Sequence, residues 1–230
     1  MLRFDQARVR IGSFTLSADF GVARGSRVAV IGPSGAGKST LLGMVSGFTP
    51  LTAGKVSWGG QDLGPLAPGA RPVSILFQDQ NLFPHLSVAQ NIGLGIRPDL
   101  HLSADQRAAA SHALTEVGLA GLENRLPAQL SGGQQSRVTL ARALLRARPI
   151  LLLDEAFSAL GPALKTEMLE LLTRIATENE ATVLMVTHDP NDARAFAPET
   201  VLVMDGAAHG PMPTGPMLDN PPPGLAAYLG

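Results

Sequence analysis

Cysteine is absent from this 230-residue chain. Its absence excludes a disulfide framework, a thiolate metal site and a cysteine nucleophile, and it is compatible with a reducing compartment. The chain also lacks any apolar run approaching the roughly 20 residues of a membrane-spanning helix. Residues 1–5 lack the basic and then apolar pattern of a signal peptide. We therefore expect a cytosolic protein that reaches a membrane only through a partner.

A basic excess is missing as well. The formal net charge is −1 at pH 7, whereas a dedicated nucleic-acid binder usually carries a basic excess or a basic stripe. We therefore expect no nucleic-acid partner. With 45% hydrophobic and 16% charged residues, the chain has enough apolar side chains to bury a core and is not of the disordered type.

The stretch from residue 32 to residue 40 carries the strongest signal. It fits the pattern G-x-x-x-x-G-K-[ST] of a phosphate-binding loop, between an apolar run at 28–31 that predicts a strand and a run at 40–45 that predicts a helix. The glycines let successive backbone N–H groups converge on one anion, and the start of the helix adds its positive dipole end. We expect the whole stretch to bind a nucleotide, namely Gly32, Pro33, Ser34, Gly35, Ala36, Gly37, Lys38, Ser39 and Thr40.

Polar side chains in and beyond this loop have predicted tasks. Lys38 is expected to reach the β- and γ-phosphates, and Ser39 to offer its hydroxyl to Mg²⁺. Asp154 and Glu155 end the apolar run 150–153, and an acid at the carboxyl end of a parallel strand lies where ligands bind such sheets. We predict that Asp154 holds Mg²⁺, through water or with Ser39, and that Glu155 orients or deprotonates the attacking water.

Apolar periodicity predicts alternating strands and helices. A hairpin and a core strand are expected within residues 2–31. Ser103 and Gln106 form a capping box for a helix that runs to about Val117 and is closed by Gly118. Repeated βα units predict a mostly parallel sheet wrapped by helices. The other predicted strands are 55–58, 73–77, 150–153, 182–187 and 201–204, and the other predicted helices are one after Ser131, 162–178 and 189–196.

The order of these segments predicts one α/β domain over residues 1–230. Residues 1–86 and 148–210 are expected to form the core together with an antiparallel β subdomain. Residues 87–147 are helical in pattern and are expected to form an inserted helical subdomain. The Pro-rich C-terminal tail, 211–230, is expected to be mostly irregular.

A second motif lies between the loop and the acidic strand end. Leu130 is followed by Ser131, Gly132, Gly133 and Gln134 at the start of a predicted helix. Alone, this stretch is typical of a plain helix N-cap. In this order of motifs, however, the chain resembles the ATP-binding subunits of ABC transporters, whose signature motif it matches.

This resemblance implies a P-loop NTPase fold with a RecA-like core, an antiparallel β subdomain and an inserted helical subdomain. It also implies ATP and Mg²⁺ as ligands. In that family the signature motif of one subunit caps the γ-phosphate held by the loop of a second copy, so a head-to-tail dimer with two shared ATP sites is expected. Ser131 and the exposed N–H groups at the helix start suit that task, because together they form an anion receptor.

Other positions follow from the same resemblance. Gln78 matches the Q-loop glutamine, which contacts Mg²⁺ and senses the membrane partner. His188 matches the switch histidine that contacts the γ-phosphate. Glu155, Lys38 and His188 are therefore the predicted catalytic residues, and Ser39, Gln78 and Asp154 are the predicted metal site.

Three positions depart from the family pattern. Ala156 stands where proline is usual, and Gly161 stands where the D-loop that begins at Ser158 usually has aspartate. Because Gly161 can serve as a weak N-cap before Pro162, we expect the following helix to survive and the coupling across the dimer to weaken. An aromatic residue that stacks on adenine is expected shortly before the loop, but the sequence has Ile11 there, with Phe14 as the nearest aromatic.

The segment 78–92 is more apolar than a solvated loop requires. Leu82, Phe83 and Leu86 are expected to line a groove for a partner helix, although part of this surface can pack inside the helical subdomain. The segment resembles the coupling region of bacterial importers. The chain is most similar to the ATP-binding subunits of thiamine importers, through the stretches 47–48, 71–78, 81–83 and 89–95.

This similarity implies an ATP hydrolase that energises a bacterial importer, most closely one for thiamine or its phosphates. Its implied partners are a second copy, transmembrane permease subunits and, indirectly, a periplasmic solute-binding protein. Its implied place is the cytoplasmic face of the inner membrane, as a peripheral protein. The similarity also implies that ATP closes the dimer and that hydrolysis resets it.

Three alternatives remain open at this point. One is an importer subunit for another small solute, such as iron, a polyamine or an oxyanion. Another is a soluble ABC ATPase of DNA repair or translation, which the sequence disfavours because no heptad array separates Lys38 from Asp154 and only one cassette is present. The third is a binding module with weak turnover, which Gly161 makes conceivable.

Overall fold

A single mixed sheet forms the centre of the protein. The computed structural model describes residues 1–77, 81–222 and 224–226. In this part of the chain the sheet has ten strands, in the order β5-β4-β1-β2-β10-β9-β3-β8-β7-β6. The strands are β1 (Leu2–Ile11), β2 (Phe14–Val22), β3 (Arg27–Ile31), β4 (Ala53–Trp58), β5 (Gln61–Asp62), β6 (Val73–Phe77), β7 (Ile150–Asp154), β8 (Thr182–Val186), β9 (Glu199–Met204) and β10 (Ala207–Pro213).

One half of the sheet is parallel, as the sequence predicts. The strands β6, β7, β8, β3 and β9 pair in parallel in that order. Their continuous apolar runs explain the arrangement, since parallel strands are covered on both faces, and every residue of β8 is buried. The register aligns Phe77, Asp154, Val186 and Val30 across four neighbouring strands. The segments that follow these strands therefore meet at one edge of the sheet.

The other half is mainly antiparallel. Strand β1 pairs with β2 and β4, and β4 pairs with β5. Burial alternates along β1 and β2, which is typical of strands with one solvated face. This hairpin ends at Ile11 and Phe14, which are partners in its register.

The expectation of a mostly irregular tail is wrong for residues 211–219. Residues Ala207–Pro213 form β10, which joins the two halves of the sheet by pairing with β9 and, through Ala207 and Ala208, with β2. Beyond Ala208 the strand has β9 as its only paired neighbour among the described residues, so a proline without an N–H is tolerated there. A short helix follows and buries Met217 and Leu218 against the core.

Helices cover both faces of the parallel half. They are α1 (Lys38–Ser46), α2 (Val88–Gly93), α3 (Ala104–Glu116), α4 (Gly132–Leu145), α5 (Pro162–Glu178), α6 (Pro190–Phe196) and α7 (Thr214–Asp219). Helix α3 has the predicted capping box between Ser103 and Gln106. Helices α2, α3 and α4 lie in sequence between β6 and β7, which are neighbours in the sheet, and so form an insertion.

The core has two apolar layers, one on each face of the sheet. Successive residues of β7 belong to different layers: Leu151 and Leu153 pack with α3 to α6, whereas Ile150 and Leu152 pack with α1 and the hairpin strands. Because side chains pack against both faces of β7, the strand is rigid and holds its last residue, Asp154, in a fixed position. The structure assigns no membrane-crossing role to any described helix, since none combines the necessary length and apolarity.

Candidate functional site

The predicted phosphate-binding loop lies between β3 and α1. Gly37 is the N-cap residue of α1 and has a φ of 105°, a left-handed conformation that favours glycine. A Cβ at this position would also lie 2.6 Å from Cζ of Phe14. Both constraints require glycine immediately before Lys38.

Lys38 is folded back over its own loop. Its ammonium group donates hydrogen bonds to the carbonyl oxygens of Gly32 (2.8 Å) and Pro33 (3.0 Å), and the residue is 7% exposed. Burial lowers the pKa of Lys38, while the nearby carboxylates of Glu155 and Asp154 oppose that shift. The lysine thus holds a positive charge over the centre of the loop, where a phosphate chain would lie.

Ser39 and Asp154 meet as the two motifs predict. The hydroxyl of Ser39 donates a hydrogen bond of 3.0 Å to Oδ1 of Asp154. Burial raises the pKa of Asp154, and the charge of Glu155 adds to the rise, whereas the Ser39 hydrogen bond and Lys38 oppose it. A half-buried carboxylate beside a hydroxyl is the kind of oxygen pair that Mg²⁺ accepts. These two residues therefore fit the predicted metal ion.

Glu155 and His188 form a contact at the same edge of the sheet. Oε2 of Glu155 lies 3.5 Å from Nδ1 of His188. Glu155 has a φ of 50°, a left-handed conformation that costs an L-residue about 1–3 kcal/mol and is concentrated at functional sites. Its carbonyl oxygen accepts hydrogen bonds from the N–H and the hydroxyl of Ser158. This turn fixes the backbone from which the Glu155 side chain extends.

An open cleft of about 360 Å³ lies over the loop. Its lining combines backbone of the loop with one acidic side chain and one aromatic side chain. The residues are Phe14, Ser34, Gly35, Gly37, Lys38, Ser39, Thr40 and Glu155.

The structure distinguishes Ile11 from Phe14, the two residues considered for the contact with adenine. Ile11 is 55% exposed and does not line the cleft. Phe14 is half-buried, lines the cleft and has its ring against Gly37. An aromatic ring therefore lies at the mouth of the phosphate-binding loop, supplied by the hairpin between β1 and β2.

The signature stretch begins a helix, as predicted, but lies outside this cleft. Ser131 caps α4: its hydroxyl accepts from the Gln134 N–H, and the Gln134 side chain accepts from the Ser131 N–H. Gly133 faces α5 so closely that a Cβ there would collide with the side chain of Leu164. Among the described residues, none of Ser131, Gly132, Gly133 and Gln134 lines the cleft.

The Q-loop prediction cannot be followed onto the structure, because Gln78 lies outside the described residues. The strand that leads to it ends at Phe77, whose partner in the register is Asp154. Beyond this segment, Arg142 of α4 donates a hydrogen bond of 2.9 Å to the carbonyl oxygen of Asn81. The helical insertion is thus tied to the chain that follows Gln78.

The stretch around Gly161 has the expected helix. Helix α5 begins at Pro162, and its N-cap Gly161 makes no side-chain capping bond. A Cβ at Gly161 would meet nothing within 4 Å, so the site has room for the aspartate that is usual at this position. The expected weakening of dimer coupling stays a prediction.

Apolar side chains are exposed beside the insertion. Phe48 is 61% exposed and Phe77 is 37% exposed, and their ring centroids are 6.3 Å apart. Of the three residues predicted to line a groove, Phe83 is 47% exposed, Leu86 is half-buried and Leu82 packs against the core. We call the neighbouring rings of Phe48 and Phe77 the aromatic patch.

Sequence analysis missed the roles of two buried polar residues. Asn91 is fully buried and binds the turn after Phe83: its amide donates to the carbonyl oxygens of Phe83, Leu86 and Ser87 and accepts from the Phe83 N–H. Arg71 donates to the carbonyl oxygens of Met44 and Val45 at the end of α1. An asparagine within the predicted coupling region was the available signal for the first, and no local signal indicates the second.

The known proteins that resemble this chain in sequence agree with one another in their descriptions. The family model described as ABC transporter matches residues 16–158. The chain is 61% identical, over all of both sequences, to the thiamine import ATP-binding protein ThiQ of Cereibacter sphaeroides. It is 56% identical, again over all of both sequences, to the protein of that name from Ruegeria sp.. It is 47% identical to the one from Yersinia pestis, over 96% of this chain and 93% of that protein.

The fold also has solved counterparts. The dimeric structure of MJ0796, a bacterial ABC transporter cassette, superposes with a TM-score of 0.78 at 29% sequence identity, over 93% of this chain and 99% of that one. A dimeric post-hydrolysis state of the MJ0796 cassette, bound to ADP and Pi, matches with the same score, identity and coverage.

Proposed function

The chain belongs to the ABC transporter family, and we propose that it is the ATP-hydrolysing subunit of a bacterial thiamine importer. The observation that carries the chemistry is the meeting of Lys38, Ser39, Asp154, Glu155 and His188 at the carboxyl ends of neighbouring parallel strands. The full-length identity of 61% to a thiamine import ATP-binding protein supports thiamine as the transported solute.

The cleft over the loop holds the phosphate chain of ATP. The N–H groups at the start of α1 and the Lys38 ammonium supply positive charge to the β- and γ-phosphates. Ser39 and Asp154 would hold Mg²⁺, and Gln78 is a further proposed ligand. When bound, the ion neutralises charge on the phosphate oxygens. Phe14 takes the place of the expected aromatic and packs against the adenine base.

Glu155 is the proposed group that orients and polarises the attacking water. A carboxylate at the end of β7, next to the loop, is within the region where the γ-phosphate would lie. His188, in contact with Glu155, and Lys38 stabilise the charge that develops on the transferred phosphoryl group. Glu155 follows β7 and His188 follows β8, and both strands are buried and rigid. The register between these two strands therefore sets the separation of the two residues.

A second copy of the chain completes each site. Ser131 and the first N–H groups of α4 form an exposed anion receptor, and this receptor does not line the chain's own cleft. In a two-fold dimer the receptor of each copy faces the loop of the other. The dimeric cassette structures of the relative MJ0796 support a dimer of this chain.

Permease subunits are the proposed membrane partners. The aromatic patch supports this, because a soluble monomer seldom exposes large aromatic side chains side by side. Phe77 is the last residue of β6 and pairs in the register with Asp154, so a partner on the patch lies beside the strand end next to this acid. We place the protein peripherally on the cytoplasmic face of the inner membrane, with a periplasmic thiamine-binding protein acting on the other side.

Reconstitution with a thiamine permease tests the proposal. Thiamine-loaded binding protein is expected to raise ATP hydrolysis several-fold in liposomes that contain the whole complex, because the loaded protein shifts the permease toward the state that closes the ATPase dimer. Phosphate release is the measurement. If another solute stimulates and thiamine does not, the solute assignment is wrong, and if the permease never stimulates, the importer role is wrong.

A Phe48→Ser variant serves as the matched test of the patch in the same liposomes. It is expected to lose most of the stimulated hydrolysis, since a polar residue in the patch removes apolar contact with the permease. Lys55→Met is the control, because Lys55 lies on β4 in an exposed pair with Asp5. Equal stimulation of both variants would contradict the assignment of the patch.

The adenine contact gives a separate prediction. Phe14→Ala is expected to raise the KM for ATP about tenfold, since stacking of a base on an aromatic ring contributes ~1–3 kcal/mol, while kcat changes little. Ile11→Ala is the control and is expected to leave the KM nearly unchanged, because Ile11 does not line the cleft. Steady-state hydrolysis at a series of ATP concentrations separates the two. A larger effect of Ile11→Ala would reverse the assignment.

A further inference from the structure

Lys165 lies one turn into α5 and joins two carboxylates of the segment that carries His188. Its ammonium group donates hydrogen bonds to Oδ2 of Asp189 (3.1 Å) and to Oδ2 of Asp192 (3.2 Å). All three side chains are partly buried, with exposed fractions of 16% for Lys165, 29% for Asp189 and 16% for Asp192. This is a partly desolvated ion-pair network, in contrast to the exposed pairs that contribute little to structure.

The same network fixes both neighbours of His188. The Asp189 N–H donates to the Thr187 hydroxyl, which in turn donates to Oδ2 of Asp192. Oδ1 of Asp189 accepts from the N–H of Asn191 and so caps α6. His188 itself has an exposed side chain, so its position depends on the backbone that these flanking residues hold.

The charges explain why a cation is required at this point. Burial alone would lower the pKa of Lys165, but the hydrogen bonds and charges of Asp189 and Asp192 hold it above its ordinary value. Burial alone would raise the pKa of Asp189, but the hydrogen bonds from Lys165 and Asn191 bring it below its ordinary value. Without Lys165 the two carboxylates would repel each other across the His188 segment.

The other side of this part of α5 contacts the signature helix. Leu164 packs against Gly133 of α4, and Glu167 accepts a hydrogen bond of 2.8 Å from Arg137 of α4. Residues 164–167 therefore lie between the helix that begins at Ser131 and the segment that carries His188. In the proposed dimer, Ser131 and His188 of one chain belong to different ATP sites.

We propose that Lys165 is a positioning residue for His188, and that through it the start of α5 links the signature helix of one ATP site to the histidine of the other. The proposal rests on the proposed ATP hydrolysis. Lys165 does not line the cleft, so it acts through the segment 187–192. A shift of about 1 Å in a catalytic group can cost as much as 10²-fold in rate, and the loss of the ammonium group would allow such a shift.

Lys165→Met in the full chain tests this proposal by steady-state kinetics. The kcat for ATP hydrolysis is expected to fall about tenfold or more, with the KM for ATP within about twofold of the parent, because the cleft is untouched. Lys165→Arg, which keeps the charge and the reach, is expected to recover most of the kcat. Lys55→Met is the matched control, since it removes a lysine from an exposed ion pair on β4 that does not line the cleft.

Coupling to His188 provides the deciding measurement. In a His188→Ala background, Lys165→Met is expected to cause no further loss of kcat, because a residue that acts only by positioning His188 has nothing left to position. Losses that multiply in the double variant, or an unchanged kcat in Lys165→Met, would overturn the proposal. A parent chain without ATPase activity would instead overturn the proposed function. Thermal unfolding of each variant shows whether a lower stability accounts for a lower kcat. A fall in kcat that simply follows the fall in melting temperature would also count against the proposal.

Discussion

Glu155→Gln is expected to lower ATP turnover by about 10²–10⁴-fold, the range that a positioned general base contributes, while ATP binding persists. The amide keeps the size and the hydrogen-bonding reach of the carboxylate but cannot accept a proton from water. It also removes one negative charge next to Asp154 and Lys38, both of which feel the charge of Glu155. Less repulsion toward the phosphate chain favours bound ATP, so we expect an ATP-bound dimer to accumulate.

Two measurements check this variant. Phosphate release gives the turnover, and size-exclusion chromatography with and without ATP gives the dimer. Glu170→Gln is the matched control, since Glu170 is an exposed residue of α5, and it should behave as the parent does. Hydrolysis by Glu155→Gln at the parental rate would show that another group handles the attacking water.

Mixing two inactive chains should restore activity if each site is shared between copies. Lys38→Met removes the charge that reaches the phosphates, and Ser131→Arg blocks the signature receptor, so each variant alone is expected to lose nearly all turnover. In a mixed dimer, one site combines both defects and the other combines the intact halves. Equal mixing is therefore expected to recover up to about a quarter of the parental rate, since about half of the dimers are mixed and each has one intact site.

The control for mixing uses two defects in the same half of the site. Lys38→Met mixed with Glu155→Gln leaves no intact combination, because both residues belong to the half that holds the loop. No recovery is expected at any ratio in this control. If Lys38→Met and Ser131→Arg also fail to complement each other at every ratio, the shared-site dimer is wrong.

The local patterns identified most of the parallel half of the fold. The bounds predicted for α5 match the observed Pro162–Glu178, because a long amphipathic run begins at a proline and has no internal breaker. Strands β7 and β8 were predicted within a residue of their observed bounds, since parallel strands buried on both faces are continuous apolar runs. The order of the motifs along the chain then placed the loop, Asp154 and the His188 segment at the carboxyl ends of these parallel strands.

Features that depend on distant partners could not be predicted. The prolines at 211 and 213 suggest irregular chain, but β9 provides a partner for this segment and the strand forms. Whether Ile11 or Phe14 faces the cleft depends on the register and twist of the β1–β2 hairpin, which sequence spacing does not determine. The network of Lys165 joins residues more than twenty positions apart, and no local pattern indicates it.

The two glycines of the signature stretch face different constraints. A Cβ at Gly132 would meet nothing within 4 Å, whereas a Cβ at Gly133 would displace Leu164. A side chain at Gly133 therefore disturbs the packing of the single folded chain, whereas the single chain leaves space for a side chain at Gly132, which a molecule approaching the start of α4 would meet. Drift in a chain that had lost its partner copy would be free to replace the first glycine long before the second.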